Sequence, residues 1–122
     1  KEPSFISLTI DGFHVLLGKN NVQPEYLTFH KAGKEDLWFH AQAIPGSHVV
    51  LITEGQVIPK ELIAKTAALA AFDSKGKSSG KVNVDYTRIK YVKKIPNSPP
   101  GLVNYTHQST VTVIPEDFKI SI

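Results

Sequence analysis

DLWFHAQAIPGSHVVL, residues 36–51, sets an alternating run over 37–41 against a more continuously apolar one from residue 48 onward, with Pro45-Gly46-Ser47 between them. Alternation of apolar and polar residues has the period of a strand with one buried face, whereas an unbroken apolar run beside turn residues suits a more deeply buried strand. The stretch therefore predicts two strands, 37–41 and 48–53, joined by a turn. Successive side chains leave a strand on opposite sides, so Trp38 and His40 share one face while Leu37, Phe39 and Ala41 share the other. A histidine beside the tryptophan makes that face the expected exposed one.

The flanking segments extend this pattern. Residues 5–9 and 13–17 surround Asp11-Gly12, which signals a hairpin. Gly18, Asn20 and Asn21 make a polar turn, after which Pro24 opens a short helix that Gly33 ends, with Leu27 and either Phe29 or His30 turned inward. Pro59 begins a longer helix reaching about Phe72. Leu62, Ile63, Ala67, Leu69, Ala70 and Phe72 lie along one side of it, and its alanines favour helix and allow close approach to a sheet. Residues 73–81, rich in glycine and serine, read as a flexible loop. Residues 82–86 and 89–95 alternate again, the 96–101 segment turns, and strands follow near 102–106 and 110–114. The expected fold class is α+β: a mostly antiparallel sheet of short strands and hairpins, one long Ala-rich helix and one short helix.

The 122 residues suffice for one domain with its own core. No apolar run approaches the roughly 18 residues that cross a bilayer, nothing at the start reads as a secretory signal, and there is no cysteine for a disulfide or a thiolate site. A soluble protein of the cytoplasm with no membrane partner is expected. The chain lacks methionine and starts at Lys1, which leads to the expectation of a piece of a longer polypeptide. Charge is uneven. Residues 1–70 hold six Lys and seven Asp or Glu, residues 71–122 hold eight Lys or Arg and four acids, and between 75 and 94 seven basic residues (Lys75, Lys77, Lys81, Arg88, Lys90, Lys93, Lys94) meet one acid, Asp85. Such a cluster suits a phosphate-rich partner, and equally a solvated lysine face.

Three constellations carry possible chemistry. His40, His48 and Asp36 have the ligand types of a zinc or iron site, but no further ligand stands close in sequence. Ser47 between Gly46 and His48 lacks the second glycine of a nucleophile elbow. Lys75-Gly76-Lys77-Ser78 has the ending of a phosphate-binding loop without its upstream glycine, and a helix precedes it rather than follows. No catalytic residue, metal or cofactor is expected. Nucleic-acid binding asks for less: cations from 75–94, and stacking or hydrogen-bonding edges from Trp38, His40 and His48. Binding should then tighten below about pH 6.5 as histidines charge.

GKNNVQPEYLTFHKAGKEDLWFHAQAIPGSHVVL, the Ala-rich helix, SKGKSSGKVNVDYTRIKYVKKI and PPGLVNYTHQSTVTV follow one another in the order of the NFACT-R domain, the RNA-binding module of the NFACT family. The chain resembles that domain over most of its length, 1–122 being read as a single domain of this kind. The resemblance implies a non-catalytic module of a factor that binds the large ribosomal subunit (rRNA) carrying a stalled peptidyl-tRNA. Such a factor recruits tRNA, in bacteria alanyl-tRNA, for untemplated extension of the nascent chain. The positions carried over are Asn20 and Asn21; Asp36, Trp38 and His40; Pro45, Gly46, Ser47 and His48; and Lys75, Lys77, Ser78 and Lys81, with Arg88, Lys93 and Lys94 added as further cations. Where many members read Tyr-Ser-Lys-Ala-Arg after the helix, this chain reads Phe72-Asp73-Ser74-Lys75-Gly76-Lys77. An earlier helix end is expected, with an ammonium in place of a forked guanidinium. Some members are described at the cell surface as fibronectin-binding, which makes a matrix adhesin the second reading. A metal-dependent nuclease acting through His40, His48 and Asp36 is the third.

Overall fold

Asp11 and Gly12 take φ of 51° and 84°, so both central residues of the first turn are left-handed, the type I′ geometry whose twist matches two antiparallel strands. The strands are β1 (Ile6–Ile10) and β2 (Phe13–Gly18), paired with Ile10 opposite Phe13. This is a computed structural model, and it describes residues 5–18, 26–99 and 101–118. Strands β3 (Leu37–Ala41) and β4 (His48–Leu51) pair with each other, and β4 also pairs with β2. Helix α1 (Lys60–Phe72) follows, then β5 (Val82–Arg88), β6 (Val92–Lys94), β7 (Val103–Tyr105) and β8 (Ser109–Val113). The main sheet runs β1-β2-β4-β3-β5-β8, a separate sheet pairs β6 with β7, and every pairing is antiparallel. The architecture is α+β with a mostly antiparallel sheet of short strands.

Pro59 sits just before α1 with extended backbone, and its carbonyl accepts from the amides of Leu62 and Ile63. A proline loses no bond there, since the first helical N–H groups have no intrahelical partner. The helix buries Leu62, Ala67, Leu69, Ala70 and Ala71 against Leu17, Phe39, Ala41, Val49 and Leu51. The small alanine side chains let the helix axis approach β3 and β4 closely.

The other face of the sheet is covered as well, which corrects the expectation that Trp38 and His40 face solvent. Trp38 is fully buried with Leu27, Val50, Ile89 and Val92, and Leu16, Val103 and Tyr105 pack around them. A second layer made of the β6–β7 sheet and the 26–31 turn lies over this face, so the alternation of β3 separates two cores. Two local readings change with it. The described part of the short helix is a single π-helical turn, Leu27–Lys31, closed by Ala32 N–H on the Leu27 carbonyl at 3.2 Å; Leu27 and Thr28 point inward while His30 is exposed, and Pro24 lies outside the described residues. The expected 89–95 strand is broken by a 3₁₀ turn, Ile89–Tyr91, whose first amides donate to the Asp36 and Lys34 carbonyls, before β6 leaves the main sheet.

Candidate nucleic-acid interface

Gly46 has to lack a side chain. A Cβ there would lie 3.0 Å from the Ser74 Cβ and 3.3 Å from its Cα, a separation that lets the Pro45-Gly46-Ser47 turn and the loop after α1 meet backbone to backbone. Gly46 bridges Ser74, the Ser47 amide donates to the Asp73 carbonyl at 3.1 Å, and the Lys75 amide donates to the Pro45 carbonyl at 2.9 Å. Ser74 finishes the helix end, its hydroxyl donating to the Ala71 carbonyl at 2.7 Å and accepting from the Gly76 amide at 3.1 Å. Gly76 is buried against Ile44 and Val82. With its backbone secured, the loop turns Lys75, Lys77 and Ser78 outward, and the Lys77 ammonium stands 4.9 Å from the centre of the Phe72 ring. Pro45, Gly46, Ser47, Lys75, Lys77 and Ser78 line one open groove of about 590 Å³. The helix C-terminus, which carries partial negative charge, ends beside it and suits these cations.

Behind the groove stands an aromatic cluster. Trp38 stacks on His40 at 5.6 Å between centroids, meets His48 edge-on at 5.4 Å, and packs on Tyr105 at 4.7 Å; His40 and His48 meet edge-on at 5.5 Å. Trp38 Nε1 is buried and has no hydrogen-bond partner among the described residues. His48 joins three segments: Nδ1 is 2.7 Å from the Thr28 hydroxyl and Nε2 is 3.0 Å from the Gly101 carbonyl. A carbonyl only accepts, so Nε2 carries the proton. His40 donates from Nδ1 to the Ala41 carbonyl at 2.7 Å. Burial holds its pKa below the usual histidine value, against the opposing pull of the Ala41 and Gly46 backbones and the Asp85 carboxylate. His40 therefore resists the charging expected of it below pH 6.5.

Asp85, the lone acid of the basic stretch, is a buried acceptor that sequence reasoning left without a role. It accepts from Gln42 at 3.0 Å, from the Thr110 hydroxyl at 2.6 Å and from the Tyr105 hydroxyl at 2.6 Å. Burial, and then the bond and charge of Asp85, push the Tyr105 pKa well above its ordinary value. Asp85 falls on the polar side of the alternation with Asn83 and Thr87, so the period of the strand assigns it to solvent and carries no signal of its burial.

The remaining predicted residues are dispersed. Asp36 lies at the far end of β3, where its carboxylate takes the amides of Gly33 at 2.8 Å and Thr53 at 3.0 Å, so it ties loops together rather than facing a ligand. It stands four residues from His40 along one strand, about 13 Å, which splits the trio weighed for a metal; among the described residues no three His, Asp or Glu gather as a ligand set. Arg88, at the far end of β5, donates to the Glu35 carbonyl at 2.5 Å, and Lys90 pairs with the Glu35 carboxylate at 2.8 Å. That bond lowers the pKa of Glu35 and raises that of Lys90. Lys81 lines a different groove, between α1 and β8. Lys93 and Lys94 are exposed on β6, where Lys94 pairs with Val103, two residues past the Gly101 that His48 holds. The 75–94 segment is thus not one patch, and Asn20 and Asn21 lie outside the described residues. Among the described residues no helix is long and apolar enough to cross a membrane.

Comparison with known proteins supplies the kinship. The family model described as the NFACT protein RNA binding domain matches residues 3–107. The Rqc2 homolog RqcH of Bacillus subtilis (strain 168) is 46% identical over 105 residues, 86% of this chain and 18% of that protein. The Rqc2 homolog RqcH of Streptococcus pneumoniae (strain D39) is 45% identical over 116 residues, 93% of this chain and 21% of that protein. The chain therefore spans about a fifth of the length of these curated relatives. A solved structure, the C-terminal part of the fibronectin/fibrinogen-binding protein from Streptococcus suis, superposes with a TM-score of 0.86 at 42% identity, covering 98% of this chain and 48% of that one. Sequence and architecture agree over nearly the whole chain, which belongs to the family of NFACT RNA-binding domains.

Proposed function

We propose that this chain is the non-catalytic RNA-binding module of a cytoplasmic ribosome quality-control factor, engaging tRNA and the rRNA of a stalled large ribosomal subunit during untemplated alanine tailing of nascent chains. The observation that carries the reading is the single groove in which two sequence-distant segments, 45–47 and 75–78, are stitched together with two lysines directed outward. Its family membership and the names of its relatives point the same way. Lys75 and Lys77 neutralise phosphates, Ser78 offers a hydroxyl, and the Trp38–His48 cluster fixes the groove's floor from inside instead of stacking on bases itself. Phosphate contacts of this type position RNA without reading its sequence. The test is fluorescence-anisotropy titration of the chain with labelled tRNA and with duplex DNA of equal length. Salt-sensitive binding that favours tRNA is expected, and a folded chain that binds neither would overturn the proposal.

The kinship with a structure named as fibronectin/fibrinogen-binding favours a second reading, a matrix-protein contact. Capture of the purified chain by immobilised fibronectin at physiological salt is its test.

A further inference from the structure

A second concavity lies at the other end of β5 from the lysine groove. It has a volume of about 480 Å³, within the range of small-ligand pockets. Leu37 lies at its base, Tyr86, Tyr91 and His107 present aromatic surface, Arg88 adds a cation, and Val57, 94% exposed, stands at the rim. His107 and Tyr91 stack at 3.9 Å with 20° between their planes. The His107 backbone is left-handed, with φ of 59°, a conformation that costs free energy in a residue other than glycine and persists where its surroundings impose it. Here the Tyr91 stack and a 2.9 Å contact between Nδ1 and the Thr106 hydroxyl hold it, with the ring exposed.

We propose that this pocket takes one unstacked nucleobase of a single-stranded segment, its phosphate lying toward Arg88. Three π surfaces beside a cation match a base with its phosphate. Arg88 and Lys90 together outnumber Glu35, the acid they share, and among the described residues no Asp or Glu lines the pocket, so charge favours an anionic ligand over a basic peptide. Val82, against Gly76 of the lysine loop, and Arg88, in this pocket, stand six residue steps apart on β5, about 20 Å, so the two sites grip different parts of one RNA. This inference rests on the RNA-binding reading and adds a site to it.

The test has two arms. In the first, backbone amide NMR shifts of the chain are followed during titration with adenosine 5′-monophosphate, and with ribose 5-phosphate as a base-free control. Shifts at residues 55–57, 86–91 and 107–109 with the nucleotide alone are expected; their absence, or equal shifts with the sugar phosphate, would overturn the pocket. In the second, a short oligoadenylate and an abasic oligomer of equal length are titrated against the wild type, His107→Ala and His107→Phe. His107→Ala is expected to weaken oligoadenylate binding roughly tenfold without altering abasic binding, and His107→Phe to restore it. Equal loss for both oligomers, or for neither, would overturn the proposal. Failure of the wild type to bind tRNA would instead overturn the broader reading, while nucleotide-specific shifts at the pocket would still stand as its own result.

Discussion

His48 lies in the quoted turn-and-strand segment as a candidate contact, yet the structure buries it and gives each ring nitrogen a partner from another segment, Thr28 and Gly101. His48→Ala would remove one bond from each of Thr28 and Gly101 and open a cavity, so a stability loss of about 2–4 kcal/mol is expected in denaturant unfolding. An unfolding curve unchanged from the wild type would show that His48 acts on a ligand rather than on the fold. His40 yields a pH signature instead. Its folded pKa is depressed by burial beside Trp38 and His48, which outweighs the opposing pull of the Asp85 carboxylate, so the folded state favours the neutral ring. The unfolded ring takes up its proton near pH 6.5. The associated stability is present above that value and is lost as pH falls through the lower folded pKa. His40→Gln should therefore flatten the acid side of a stability–pH curve, and an acid limb as steep as the wild type's would contradict the assignment. Residue types and their chemistry were legible in the sequence. Which face they occupy was not, because β3 alternates in either case and only the partner layer decides whether Trp38 meets water.

Between elements, the decisive joint is the close approach of the 45–47 turn to the loop after α1. Gly46→Ala places a methyl 3.0 Å from Ser74 Cβ and 3.4 Å from the Asp73 carbonyl. One of the two segments must shift, at a cost of about 1–3 kcal/mol. RNA affinity should fall with it, since the bonds that hold Lys75 beside Pro45 lie at the same joint; thermal unfolding together with anisotropy checks both effects, and an unchanged melting temperature would contradict the contact. At this scale the sequence was informative where the signal is local. The Asp11-Gly12 turn, the proline before α1 and the β3–β4 pair all appear near their expected places, because turn chemistry and period are properties of neighbouring residues. The second layer was hidden for the complementary reason. The β6–β7 sheet and the π-helical turn exist through contacts with Trp38, Val50 and Leu16, so Ile89–Tyr91 leaves the main sheet although its residues alternate like the strand before them.

Over the whole molecule, the basic excess of the second half is divided between opposite ends of β5. Lys75 and Lys77 face the groove, whereas Arg88 and Lys90 gather around Glu35. A charge count along the chain treats these as one segment, since it does not record that seven residues of strand hold them apart. The asymmetry was thus visible in the sequence and its geometry was not. In this reading the lysine groove carries the phosphate contacts. The salt dependence of tRNA affinity for the wild type and for Lys75→Gln/Lys77→Gln decides it, with circular dichroism to establish that both fold. Each phosphate contact contributes about 0.7–0.9 to the slope of log affinity against log salt. The double variant should bind at least roughly tenfold more weakly at low salt, with a slope shallower by about 1.5. A folded double variant with the wild-type affinity and slope would contradict it.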